Sequence, residues 1–407
     1  MSGGPRTILD RRGFVRLLAG LALLPASALA KPPPKSSPRP KPPAKPAATP
    51  KQPPAPPVPR QAVTRILPFQ SAPFPYRGLA EDGRTPFFNV AQGNRRGRTT
   101  ANGEVLWEDT VYADAGVLLH VPASFDPRKP VRLVVFFHGH GSSIDRVVSD
   151  MEIVRQITQA DINAVLIAPQ FAREAADSSA GKFWQAGAFA RFLEEATVRL
   201  TDAASVNRAE RPVVAAALRA APVILVAFSG GYKPAAFVLD RGGVTGRING
   251  VLLLDALYDE EDRYARWFAA ARARGFLVSL YTDSTAPRQA ILMDKLRQRH
   301  IAFNTAVPGA VPPGTAAFVA CGSIMRHGRF VLDGPPRDPV RIVLAATRPP
   351  PPPPKPAVAK PAPGKPPAAK PAPIKPPATP PSPVARKARP IPKPRSAAPS
   401  AGTSRPR

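Results

Sequence analysis

The sequence predicts an α/β fold over residues 61–348: a doubly wound, mostly parallel sheet with a leading antiparallel hairpin. Three observations predict it. Proline is concentrated outside that stretch, the apolar runs inside it are continuous, and helical patterns separate those runs. Residues 31–60 hold 14 of the 57 prolines and residues 349–407 hold 23. Proline fixes φ and donates no N–H, so neither segment can join a helix or a sheet ladder. Both read as disordered Pro/Lys-rich tails flanking one foldable stretch, which is long enough for a sizeable core.

The elements follow in order. Residues 105–113 and 117–121 read as an antiparallel hairpin around Asp114-Ala115-Gly116, at one edge of the sheet. Residues 131–137, 163–168, 223–228, 248–254 and 276–281 are continuous apolar runs. Continuous rather than alternating patterns suit strands covered on both faces of a parallel sheet. Between them lie helical patterns over 146–160, 186–200, 232–239, 260–274 and 287–299. Strand–helix alternation implies βαβ units. Ligands of such sheets bind beyond the carboxyl ends of the strands, so the residues that follow each run are the candidates for chemistry.

Charge follows the same partition. The net charge is +29, but residues 31–60 carry seven Lys/Arg and residues 349–407 carry twelve, with no acid in either. The core is only mildly basic, so the high isoelectric point does not argue for specific nucleic-acid binding. At the N-terminus, Asp10-Arg11-Arg12-Gly13-Phe14-Val15-Arg16 precedes a short apolar run and Ala28-Leu29-Ala30. This has the parts of a signal peptide over residues 1–30, and the paired arginines before Gly-Phe resemble a twin-arginine export signal. A periplasmic or extracellular protein beginning near Lys31 is expected. In the C-terminal tail, Lys355, Lys360, Lys365, Lys370 and Lys375 recur every five residues in a Pro/Ala background that favours extended polyproline II. Two readings stand side by side: a tether to an anionic envelope polymer, or a solvated spacer. Cys321 is the one cysteine, so neither an internal disulfide nor a cysteine-rich metal site can form.

The chemistry begins after 223–228. Ala227-Phe228-Ser229-Gly230-Gly231 puts a serine between small residues where a strand meets a helix. A sharp turn there would lift the hydroxyl above the sheet at a helix N-terminus. The motif resembles the G-x-S-x-G nucleophile elbow of the α/β-hydrolases, with Ala in place of the first Gly. After 131–137, His138-Gly139-His140-Gly141 resembles the HGGG-type loop of lipases and esterases. Two acids follow apolar strands, Asp255 after 248–254 and Asp283 after 276–281. The family's usual placement favours Asp283, but a lone acid ending an apolar strand is harder to explain structurally than the turn-like Tyr281-Thr282-Asp283-Ser284, so Asp255 is the expected acid and Asp283 the alternative. His327 follows both acids and an apolar segment at 316–321, whereas His300 lies in a basic helix end. The chain order Ser229, Asp255 or Asp283, His327 is that of the family.

Residues of about 105–347 thus look like an exported α/β-hydrolase of the esterase and polyhydroxyalkanoate-depolymerase kind. The resemblance implies acyl transfer without a cofactor or metal. Ser229 would attack an ester or amide carbonyl, His327 would take its proton, and the acid would hold the imidazole tautomer. The amides of Gly230 and of Gly139 or His140 would bind the oxyanion. Gln170, Phe183 and Trp184, near the end of 163–168, are expected to contact a small-molecule or polymeric ester substrate. Other motifs compete less well. Ser179-Ala180-Gly181-Lys182 fits S-x-x-K, but no K-T-G partner occurs. Arg326-His327-Gly328 matches a histidine-phosphatase triplet, but at the wrong end of the domain. The alternative from another class is a non-catalytic envelope-binding protein that keeps a hydrolase-like core between basic tethers.

Overall fold

The computed structural model describes residues 60–323 and 326–348. The expected signal segment 1–30, nearly all of the expected linker 31–60 and the tail 349–407 lie outside the described residues.

The main sheet has eight strands: β1 (Val63–Pro68), β5 (Gly116–Val121), β6 (Arg132–Phe137), β7 (Ala164–Pro169), β8 (Val223–Phe228), β9 (Ile248–Leu254), β10 (Phe276–Tyr281) and β11 (Ala316–Ala320). Their order across the sheet is β1-β5-β7-β6-β8-β9-β10-β11. Only β5 runs against the others; it pairs antiparallel with both β1 and β7, and the remaining pairs are parallel. β5, β7 and β8 are buried along their whole lengths; β7 and β8 are apolar throughout, and the one polar residue of β5, His120, is bonded to Thr64 and Thr158. Each face is covered by its own core. One is built on Val135, Phe137, Phe189, Phe192 and Phe268, the other on Val134, Phe136, Ile157, Val226 and Val343.

The predicted hairpin is corrected. An antiparallel edge exists, but β5 finds its partner in β1, just after the proline-rich linker, with Val63 opposite Val121 and Pro68 opposite Gly116. Pro68 is tolerated because β1 is an edge strand. Residues 105–113 are not one strand. Val105–Trp107 forms β4 of a separate antiparallel sheet with β2 (Val90–Gln92) and β3 (Arg95–Thr99). The chain then turns into the short helix Glu108–Val111, whose first turn carries Glu108 and Asp109, where acids suit the positive end of a helix. The single helix expected over 146–160 is two, Ile144–Ser149 and Ile153–Gln159, because Glu152 takes a left-handed φ of 48° between them. Helices Arg211–Ala220 and Pro339–Ala346 add to the pattern read from sequence.

Register places the site. Phe137 lies opposite Ala227, Phe228 opposite Leu254, and Leu254 opposite Leu280. The residues that follow β6, β8, β9 and β10 therefore leave the sheet at one level, beside one another.

Candidate active site

Ser229 occupies the sharp turn between β8 and the helix Tyr232–Arg241, with φ of 51°. A positive φ is uncommon for a residue with a Cβ and costs energy that its surroundings must offset. The surroundings also demand smallness. A Cβ on Gly231 would lie 2.3 Å from the Phe137 carbonyl oxygen, and one on Gly139 would lie 2.5 Å from the Ser229 Cβ. The glycines thus let two backbone segments close around the serine.

A hydrogen-bonded relay runs through this point. The Ser229 hydroxyl donates to His327 Nε2 at 2.7 Å, and His327 Nδ1 donates to Asp255 Oδ2 at 2.6 Å. Ser229 is 7% exposed and Asp255 fully buried, while the His327 side chain keeps 40% of its surface open to the cavity. The imidazole stacks on Phe228, with ring centroids 5.1 Å apart. Asp255 itself has φ of 44°, which turns the chain directly after β9. Its oxygens are also held from the β10 side. Oδ1 accepts from the Thr282 N–H at 3.0 Å and the Thr285 hydroxyl at 2.7 Å; Oδ2 accepts from the Thr282 hydroxyl at 2.9 Å. Burial pushes this carboxyl up, but the bonds from His327, Thr282 and Thr285 more than offset it and hold the group at about 2. Asp283, the other candidate acid, is exposed in the turn between Thr282 and Ser284. The structure pairs His327 with Asp255.

The loop after β6 lies across from His327. His138 is buried; its Nδ1 donates to the Gly139 carbonyl, while Nε2 accepts from the Phe171 N–H and the Gln170 amide, both at 2.9 Å. Burial drives this imidazole down to about 4, so it is neutral and serves as a pin for the loop. The Gly141 N–H is taken by the Ala175 carbonyl, which leaves Gly139 and His140 as the loop's candidates for an oxyanion donor beside Gly230. His140 Nε2 meets the Ser178 hydroxyl at 2.6 Å, next to Gly230. Burial also lowers the pKa of His140.

These groups open onto a cavity of about 420 Å³, which Phe228, Tyr232 and Tyr258 line on the apolar side. The expected substrate contacts are elsewhere. Phe183 is fully buried against Phe189 and Phe192, and Trp184 packs on Phe87 and Phe237, so both belong to the core. Gln170 is buried between His138 and the Ile144 N–H. Their aromatic and polar character reflected packing and pinning rather than contact with a ligand. The S-x-x-K pair is likewise divided, with Ser179 donating to Asp177 and Lys182 to the Gln70 carbonyl. Sequence reasoning missed Tyr232, Tyr258 and Ser178 as lining residues, and Thr282 and Thr285 as the cradle of Asp255. A tyrosine three residues after the elbow serine, and another three after the acid, were the available signals.

No protein-family model and no curated protein matches the chain. Among solved structures it is similar to a feruloyl esterase module from Clostridium thermocellum, described as complexed with sinapinate, at 13% identity and a TM-score of 0.37. The match covers 67% of this chain and 95% of that one. An S-formylglutathione hydrolase from Agrobacterium tumefaciens matches at 10% identity and a TM-score of 0.35, covering 60% and 92%. A thermostable esterase matches at 11% identity and 0.33, covering 60% and 70%. The chain's own topology is a mostly parallel sheet with one reversed strand and a serine elbow at the end of a central strand, which is the architecture of the α/β-hydrolases. The chain has the α/β-hydrolase fold.

Proposed function

We propose that this protein is an exported serine hydrolase that cleaves carboxylesters through an acyl-enzyme. The observation that carries the reading is the unbroken relay Asp255–His327–Ser229, with bonds of 2.6 and 2.7 Å, opening onto a cavity. In the first step the Ser229 oxygen attacks the carbonyl carbon while its proton passes to His327 Nε2. Asp255 stays ionised, keeps Nδ1 protonated and steadies the imidazolium. The amides of Gly230 and of Gly139 or His140 receive the charge that develops on the carbonyl oxygen. Collapse expels the alcohol, protonated by His327. Water, activated by the same imidazole, then releases the acid.

Export is inferred from the paired arginines and the apolar run of residues 1–30, and retention on anionic envelope polymer from the evenly spaced lysines of the tail. A fluorophosphonate probe applied to the purified protein tests the chemistry. Labelling of the wild type, abolished in Ser229→Ala, is the expected result. A folded protein that takes no label would leave the non-catalytic, envelope-binding reading in its place.

A further inference from the structure

We propose that Tyr258 is a catalytic residue of this reaction, its phenol donating a hydrogen bond to the leaving alcohol oxygen as the tetrahedral intermediate collapses. The proposal rests on the reading of Ser229 as nucleophile. Tyr258 lies three residues past Asp255, in the turn between β9 and the helix Glu261–Ala271. The ring stands edge-on to His327 with centroids 6.3 Å apart, packs beside Tyr232 at 5.8 Å and lines the cavity. Ser229 and His327 line the same cavity as this ring. Ser284 donates to Asp255 Oδ2 at 3.3 Å and shares a 2.8 Å bond with the Thr282 hydroxyl. Tyr258 therefore stands at the wall of the cavity that holds His327 and Ser229, on the side of the Asp255 cradle.

The two sides of Ser229 differ in kind. The Gly230 side carries His140, Ser178 and the backbone amides suited to a carbonyl oxygen. The His327 side carries Tyr258. The imidazolium must hand its proton to the departing oxygen, so that oxygen lies on the His327 side, within the region Tyr258 faces. Burial raises the phenol's pKa, so it remains a proton-bearing donor at neutral pH.

The step balances without a further reactant. On collapse the bond between the carbonyl carbon and the alcohol oxygen breaks, the oxygen keeps the electron pair and takes the proton from His327. Tyr258 stabilises the charge that builds on that oxygen and keeps its own proton. Such help matters most when the leaving alcohol is a strong base, so the favoured substrate class is esters of unactivated alkyl alcohols.

The test is Tyr258→Phe in the full chain, assayed on acetate esters whose leaving groups run from nitrophenol to simple alkyl alcohols. The expected loss in kcat/KM is about 10- to 100-fold on alkyl esters and under about threefold on the nitrophenyl ester. The plot of log rate against leaving-group pKa should therefore steepen. An equal loss across the series, or none, in a variant that still takes the fluorophosphonate label overturns the proposal and leaves the hydrolase reading intact. A wild type that neither labels nor hydrolyses any ester overturns both.

Discussion

Thr285 donates a 2.7 Å hydrogen bond to Oδ1 of Asp255, the carboxylate oxygen that His327 does not use. The acid comes from β9, and the hydroxyl that fixes it comes from the turn after β10. Thr285→Val removes a donor to a buried charge, which costs about 1–3 kcal/mol of stability. Urea unfolding at pH 7 measures it. A loss below about 0.5 kcal/mol would mean the cradle does not hold the acid.

The depressed carboxyl of Asp255 also sets a pH dependence. Its folded pKa, about 2, lies below the ordinary value of 3.8. The ionised form therefore stabilises the fold above pH 4, and that contribution is lost as pH falls through the window from about 4 to 2. The magnitude is about 2 kcal/mol. Unfolding measured between pH 5 and 2 should show a shallower decline in Asp255→Asn than in the wild type.

The two candidate acids separate cleanly by rate. Asp255→Asn should lose about 10³- to 10⁴-fold in kcat, because the amide favours the wrong imidazole tautomer. Asp283→Asn removes an exposed carboxylate and should stay within about twofold of the wild type. Steady-state kinetics on one ester decides between them.

Two glycines beside the serine should fail in different ways. A methyl group on Gly139 meets the Ser229 Cβ, so Gly139→Ala should lower kcat by about 10²- to 10³-fold through the displaced loop amides. A methyl group on Gly231 meets the backbone oxygen of Phe137, so Gly231→Ala should destabilise the protein by about 1–3 kcal/mol. Thermal melts and kinetics on both variants check the contrast.

Phe183 is a packing residue. Phe183→Ala should cost about 3–5 kcal/mol of stability, as expected for an aromatic ring removed from a filled core. A raised KM with an unchanged melting temperature would restore it to the substrate pocket.

For the tail, truncation after Arg348 should weaken retention on anionic envelope at low salt, and added salt should mimic the truncation. Sedimentation with envelope fragments at two salt concentrations measures both effects.

The architecture was legible where the chain is apolar without interruption. Strands β8, β9 and β10 coincide with the runs read from sequence, because a strand buried on both faces has no polar face to disguise it. Edge elements were not legible. β1 is largely exposed and ends in proline, so its sequence carries little of the pattern that burial imposes. The choice of acid was legible only in part: the lone Asp that ends an apolar strand pointed to Asp255, while Asp283 also follows an apolar strand and fits the family's usual placement.

The sequence by itself determined the order of chemical groups, a serine elbow, two acids and a late histidine, and the proline-bounded stretch in which they fold. The tertiary structure decided which of them meet. The pairing of Phe228 with Leu254 sets Ser229 beside Asp255, and His327 then bridges the two. That selection depends on strand register and on a cradle of hydroxyls supplied by a different strand. Both are long-range relations, so no local pattern around Asp255 could carry them.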